Sequence, residues 1–339
     1  MENNKNNPNK TITASLAPMA GFTDCAFRAL AARHGAAYVV SEMISSVAMV
    51  MGDKKTASLA RIAPGEARVI LQIFGHDPET IKKASRALLS GSFEGCDYAA
   101  PPAGIDINMG CPVKKIVSSG DGSALMRDAE LSARIVSAAA DVCETYGVPL
   151  SVKIRAGWDK DSINAPEFAV KMAENGARAI TVHCRTREQM YAPSADPSIA
   201  ADVRTALDAA GFGEKVLLIG NGDIDSPEAA EKYIAAGCGE VAIGRAALGN
   251  PWLFDKLRGS EITPSRGEII AEAISLVREI VAEKGEEAGI RESRGRAAHF
   301  IRGMPGSAAM RDKLNHARTL REFEEILSGE KTRENASFT

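Results

Sequence analysis

Short apolar runs rich in β-branched residues alternate along this chain with Ala-rich stretches whose apolar positions recur about every 3.6 residues. Eight runs predict strands: Ser15–Met19, Ala37–Glu42, Val69–Phe74, Ile105–Met109, Leu150–Arg155, Ala179–Arg185, Val216–Gly220 and Val241–Gly244. Stretches between them, such as Ala129–Tyr146 and Pro227–Ala236, predict helices. This alternation implies parallel strands covered by helices. Eight repeats favour closure into an α/β (β/α)8 TIM barrel over an open doubly wound sheet, and the GxGxxG fingerprint of a doubly wound dinucleotide fold is absent. Strand signals stop after Leu257, and from about Thr263 only helical patterns follow. The domain plan is therefore a disordered tail at 1–10, a barrel at 11–260 and a small helical domain at 261–339.

In such a barrel the active site lies at the C-terminal ends of the strands, and polar residues gather there run after run. The first ends in Pro18-Met19-Ala20-Gly21 and the second in Ser41-Glu42-Met43; Gln72 sits in the third, and Asn108 precedes Gly110-Cys111-Pro112 after the fourth. Lys153 and Arg155 close the fifth, His183 and Arg185 the sixth, Asn221-Gly222-Asp223 follows the seventh, and Gly244-Arg245 the eighth. Side chains alternate along a strand, so Lys153 and Arg155 share a face, as do His183 and Arg185. The same alternation turns Cys184 towards the helices and argues against a His183–Cys184 nucleophile pair.

Composition narrows the class. A length of 339 residues leaves room for a small second domain beside a barrel of about 250. Hydrophobic content of 45% and charged content of 25% fit an ordinary soluble enzyme. No apolar run is long enough to span a membrane, and Met1 to Lys10 is polar and Asn-rich rather than a signal peptide, so a cytoplasmic protein is expected. The six cysteines form no CxxC pair, which argues against a metal site or a disulfide scaffold. The net charge is only −3, yet Arg291–Arg321 holds eight Lys/Arg against Glu292 and Asp312. That segregation points to a polyanionic partner or to a solvated basic face.

Basic side chains inside an apolar barrel need an anionic partner. A phosphorylated cofactor would supply one, gripped by the loops after the seventh and eighth strands, where Gly220, Gly222 and Gly244 admit close backbone approach and Arg245 offers a forked donor. Lys153 would stabilise negative charge on a reduced flavin, or form a structural ion pair with Asp106 or Glu42. Cys111, between Gly110 and Pro112, is either a general acid at the barrel mouth or a packed cysteine.

In order, the runs APMAGFTDCAFR, SEM, LQIFG, DINMGCPVKK, VKIRAGW, VHCRTREQMY, IGNGDI and IGRAALGNPWLF resemble the tRNA-dihydrouridine synthases, the bacterial B subfamily most closely. The resemblance covers about residues 15 to 258, and more loosely the tail through GMPGSAAMR. It implies an FMN-containing barrel whose C-terminal helical domain helps to hold tRNA, with NADPH or NADH as reductant. Hydride would pass from the flavin to C6 of a uracil ring, and Cys111 would give the proton to C5. Pro18, Met19 and Ala20 would line the flavin, and Gln72 and Lys153 would contact its ring. His183, Asn221, Gly222, Asp223, Gly244 and Arg245 would complete the FMN site. Asn108, Arg155, Arg185, Arg294, Arg296 and Arg302 are the candidates for contact with tRNA, whose target base must be flipped out. A monomer is the expected form. The sequence departs from the family pattern at Cys184, at Ala192–Pro197, at Gly95–Gly104, and in the helical domain at Gly295-Arg296 and His299-Phe300. Two rivals remain: an FMN barrel acting on a free pyrimidine, as a dihydroorotate dehydrogenase does, and an RNA-binding or tRNA-folding protein with dispensable redox activity.

Overall fold

The computed structural model describes residues 11–329, so the tail expected at 1–10 and positions 330–339 lie outside the described residues. Nine parallel strands form one sheet: β1 (Ala14–Leu16), β2 (Tyr38–Val40), β3 (Ile44–Ser45), β4 (Arg68–Phe74), β5 (Gly104–Asn108), β6 (Leu150–Arg155), β7 (Ala179–His183), β8 (Leu217–Asn221) and β9 (Glu240–Ile243). β2 pairs with both β1 and β4, and β1 with β9, so eight strands close a barrel with helices around it. The ninth, β3, continues the second predicted run alongside the end of β4, with Ile44 opposite Ile73. The break between β2 and β3 falls where the Ser41 hydroxyl takes a place in the ladder, accepting the Gln72 N–H at 3.0 Å.

Alternation decides what fills the barrel. Leu71, Ile73, Ile105, Ile107, Val152 and Ile154 point one way and are wholly buried; at about 1.5–3 kcal/mol per side chain, such positions fix the register. Their neighbours point inward and are largely polar. They line a cavity of about 220 Å³ running from Arg68, Pro149, Arg178 and Glu240 at the N-terminal ends, past Ser15, Asp106 and Ser151, to Pro18 and Lys153.

The surrounding helices begin at side-chain caps. Asp24 accepts from Phe27 N–H, Asp77 from Thr80 N–H, and Asp128 from Leu131 N–H. The helix Cys25–Arg33 is tied to the segment before β4 by a buried ion pair: Arg28, 1% exposed, donates to Glu66 and to the carbonyls of Thr23 and Arg61.

The chain divides into two compact units, one running to Arg245 and including Leu253–Ser260, the other comprising Ala246–Trp252 and the chain from Glu261 onward. The second contains the helices Arg266–Lys284, Glu286–Phe300, Ser307–His316 and Leu320–Ser328. A left-handed Gly285 (φ 78°) turns the chain between the first two. They approach so closely that a Cβ on Gly289 would lie 2.7 Å from Val281 Cα. Leu276, Ile280, Ile290, Phe300 and Phe323 supply its core. Among the described residues no helix is long and apolar enough to cross a membrane.

Candidate active site

Cys111 sits in the loop leaving β5, half-buried, and is held from below by a chain of amides. Asn108 Oδ1 accepts the N–H groups of Gly110 (3.2 Å) and Cys111 (2.9 Å), and its Nδ2 donates to Gln72 Oε1 at 2.9 Å. Gln72 in turn donates to Asp106 Oδ2 at 2.7 Å, and Ser151 Oγ donates to Asp106 Oδ1 at 2.6 Å. Alternation on β4, β5 and β6 is what aims these four side chains into the barrel. On the other side, Ser123 N–H donates to the Cys111 carbonyl at 3.0 Å. Gly122, with φ 61°, allows that contact because a Cβ there would lie 2.8 Å from the same carbonyl oxygen. Burial raises the Cys111 thiol above its ordinary value, outweighing the opposing pulls of the Val113 N–H and of the Arg155 and Lys153 charges. The thiol therefore keeps its proton at neutral pH, as a general acid must. Asp106 is also raised by burial, against hydrogen bonds from Ser151 and Gln72 and the charge of Lys153.

Across the mouth, Lys153 Nζ donates to Asn221 Oδ1 at 3.1 Å and forms no ion pair among the described residues; Asp106 is committed to Ser151 and Gln72. Burial, then the nearby Arg155, lowers Lys153 to about 8. Asn221 Nδ2 donates to the Ala242 carbonyl at 2.7 Å, which ties β8 to β9. Burial, followed by the charges of Lys153, Arg155, Arg185 and Arg245, holds His183 far below its ordinary value. The ring is therefore neutral and accepts from Arg185 Nη1 at 3.4 Å through Nε2. Asp223, in a left-handed conformation (φ 48°), is gripped by Arg185 and accepts from Arg245 at 3.0 Å and from Ala195 N–H at 3.0 Å. Partial burial opposes its charge, but these donors outweigh it and hold the carboxyl below its ordinary value. Arg245 also lies 4.5 Å from the centroid of Tyr191.

Gly222 and Gly244 end up on this rim, and Gly244 faces the loop of Pro18, Met19 and Ala20: a Cβ on it would lie 3.9 Å from Met19 Sδ. Gly220 does not belong with them. It lies within β8, and a Cβ there would collide with the Tyr233 ring at 2.4 Å, so its missing side chain makes room for a helix rather than for a ligand.

The residues expected to touch tRNA divide. Arg155, 3% exposed, spends its guanidinium on the carbonyls of Gly110 (2.7 Å), Thr186 (2.9 Å) and Met190 (3.2 Å). Arg185 is 2% exposed and paired with Asp223, and Asn108 supports the Cys111 loop. In the helical unit, Arg296 is 4% exposed and Arg294 donates to the Ala317 carbonyl at 2.8 Å, whereas Arg302 is exposed. Arg155, Arg185 and Arg296 thus face inward, against the expectation of direct contact, because charged side chains with internal acceptors are the ones this fold buries. The supporting roles of Asp106 and Ser151 went unread in the sequence, although their period-two spacing with Asn108 and Lys153 carries the signal. Among the described residues no group of three or more His, Cys, Asp or Glu side chains could hold a metal ion.

The model of the family described as "Dihydrouridine synthase (Dus)" matches residues 15–337. This chain belongs to the dihydrouridine synthase family. It is 37% identical over 314 residues to tRNA-dihydrouridine synthase B of Xanthomonas axonopodis pv. citri, covering 90% of this chain and 88% of that protein. It is also 37% identical over 318 residues to tRNA-dihydrouridine synthase B of Pseudomonas aeruginosa, covering 91% and 88%. A solved structure of mandelate oxidase aligns at 17% identity with a TM-score of 0.42, covering 74% of each chain, a likeness too slight to bear on the chemistry.

Proposed function

We propose that this member of the family reduces uridine in tRNA to 5,6-dihydrouridine, with FMN as cofactor and NADPH or NADH as reductant, in the cytoplasm. The observation that carries the reading is Cys111, its backbone held by Asn108 at the barrel mouth, on the same rim as a buried lysine that forms no ion pair among the described residues and donates to Asn221 instead.

The residues present fit an anionic, phosphorylated flavin. Among the described residues Lys153 Nζ has only a neutral acceptor. Arg245, half-exposed, is steered by Asp223 with donors to spare. Gly244 leaves backbone open at the end of β9, where a Cβ would meet nothing nearer than 3.9 Å, in the part of a barrel that commonly holds phosphate; at Gly222 a Cβ would lie 2.7 Å from Ala195 Cβ, so its missing side chain lets the Ala195 loop and His183 pack there. Pro18, Met19, Ala20, Gln72, Lys153 and His183 would hold the ring and side chain, and Asn221, Gly222, Asp223, Gly244 and Arg245 the remainder. Bound there, reduced FMN supplies the hydride for C6 of the uracil. The chain's own part is to keep Cys111 protonated and aimed by Asn108, so that its proton reaches C5. A neutral His183 donates or accepts without adding charge, and Lys153 offsets negative charge that builds nearby.

The test is to incubate purified protein with FMN, NADPH and unmodified tRNA transcripts, and to measure dihydrouridine by nucleoside mass spectrometry. Wild type is expected to form it. Cys111→Ala is expected to keep FMN and NADPH oxidation while reducing uridine about 10²–10⁴-fold more slowly, the usual contribution of a general acid. FMN-loaded wild type that forms no dihydrouridine overturns the reading.

A further inference from the structure

Three residues on the barrel rim, none of them part of the flavin or thiol arrangement, form a second cationic feature. The guanidinium carbons of Arg127 and Arg187 each lie 4.8 Å from the centroid of Trp158. They come from three segments: the short helix Gly122–Arg127 beyond the Cys111 loop, the loop after β6, and the loop after β7. The arrangement is preformed, since Arg187 N–H donates to the Gly157 carbonyl at 2.9 Å and Glu188 N–H to the Trp158 carbonyl at 3.1 Å.

Neither arginine forms an ion pair among the described residues, and Arg187 Nε is buried without a hydrogen-bond partner. The neighbouring acids form no ion pair with them among the described residues, although Asp159 feels the charge of Arg127. Asp159 binds Ser162 Oγ at 2.7 Å and the Asp161 N–H at 3.0 Å, and Glu188 pairs with neither arginine. The indole offsets part of the repulsion between the two cations, and among the described residues neither guanidinium is closed off by an ion pair. Arg127 is exposed, so an external anion can reach it. The helix that bears it also braces the Cys111 carbonyl through Ser123.

We propose that Arg127, Trp158 and Arg187 form a phosphodiester clamp that grips the tRNA backbone beside the flipped uridine. The ring is already engaged by two guanidinium groups, which favours phosphate over a stacked base as the occupant. This rests on the tRNA reading above. The clamp sets the position of the strand, and Cys111, through the shared short helix, receives the base at a fixed distance from it.

The test compares wild type with Arg127→Gln/Arg187→Gln, measuring the Kd for an unmodified tRNA transcript across a salt series. Two lost phosphate contacts flatten the slope of log K against log salt by about 1.4–1.8, so the affinity gap between the proteins narrows roughly tenfold between about 50 and 200 mM salt. KM for tRNA rises, while FMN content and the rate of NADPH oxidation stay at wild-type values and serve as the folding control. A merely structural pair of arginines would not move the salt slope. A second readout uses Trp158 itself, one of two tryptophans. In Trp252→Phe, saturating tRNA is expected to change the remaining emission; should that variant not fold, the difference between wild type and Trp158→Phe carries the same information. If wild type reduces the transcript but both slopes coincide, or the Trp158 emission ignores tRNA, the clamp is overturned and the activity stands. If wild type neither binds nor reduces the transcript, the tRNA reading itself has failed.

Discussion

Lys153 is the residue at which stability and chemistry pull apart. Its ammonium is drawn into the barrel, close to the charge of Arg155, and among the described residues its one hydrogen-bond partner is the Asn221 side-chain oxygen, with the Asp106 charge only partly offsetting burial. Burial is the larger cause of its fall from the ordinary 10.5 to about 8. The unfolded chain therefore binds the proton more tightly than the folded one. The cost to stability is present in full below pH 8, and it is relieved as pH rises from about 8 towards 10.5. At neutral pH this amounts to roughly 2–4 kcal/mol. Lys153→Met, free of FMN, is accordingly expected to melt higher than wild type at pH 7, with the difference closing by about pH 10.5. Adding FMN should stabilise wild type more than the variant, since the variant keeps Arg245 but has lost the cation beside the ring. Thermal melts across pH, with and without FMN, check both parts; a variant less stable than wild type at pH 7 without FMN would show that Lys153 is a structural lysine.

At the scale of elements, three adjacent strands of the barrel act as one support. β6 supplies Ser151, β5 supplies Asp106 and Asn108, β4 supplies Gln72, and the chain of bonds ends on the amides of Gly110 and Cys111. Each amide side chain uses its oxygen and its nitrogen in opposite directions, so Gln72 cannot flip without breaking two bonds, nor Asn108 without breaking three. Asn108→Ala removes the acceptor of two loop N–H groups, at a cost of about 1–3 kcal/mol. It is expected to leave FMN bound while loosening the Cys111 loop, so that iodoacetamide labels Cys111 faster than in wild type. Equal labelling rates would mean that the loop is held by Gly122 and Ser123 alone. Much of this was legible in advance. Alternation alone placed Lys153 with Arg155 and set Cys184 on the opposite face, and the runs gave all eight barrel strands to within a few residues. The break at Ser41 was not legible, because a hydroxyl replacing a backbone partner depends on where β4 lies. Gly220 and Gly222 are illegible for a similar reason: a glycine beside a ligand and a glycine beside a packed side chain look alike until the neighbouring helix and loop are in place.

For the molecule as a whole, the question is where a long polyanion can be held. The count of basic residues in Arg291–Arg321 survives in the structure, but its distribution changes. Arg294 and Arg296 are turned inward, and Arg321 pairs with Glu325 at 2.9 Å. Arg291, Arg311, Lys313 and Arg318 remain exposed and form no ion pair among the described residues, and Arg302 is exposed beside His299. A sequence shows the charge of a helix but not which of its arginines the fold will bury, so the test belongs on the exposed set. Arg302→Gln/Arg311→Gln/Lys313→Gln is expected to weaken tRNA binding and to flatten its salt slope by up to about 0.7–0.9 per lost phosphate contact. FMN content and NADPH oxidation should be unchanged, because none of the three lies in the barrel unit. The loss should also be uniform across tRNA sequences, since phosphate contacts set position without reading bases. Combined with the Arg127/Arg187 changes, the slope losses should add, because the two groups share no partner. If the triple variant binds as wild type does at every salt concentration, these helices carry a solvated basic face and the barrel rim alone holds the RNA.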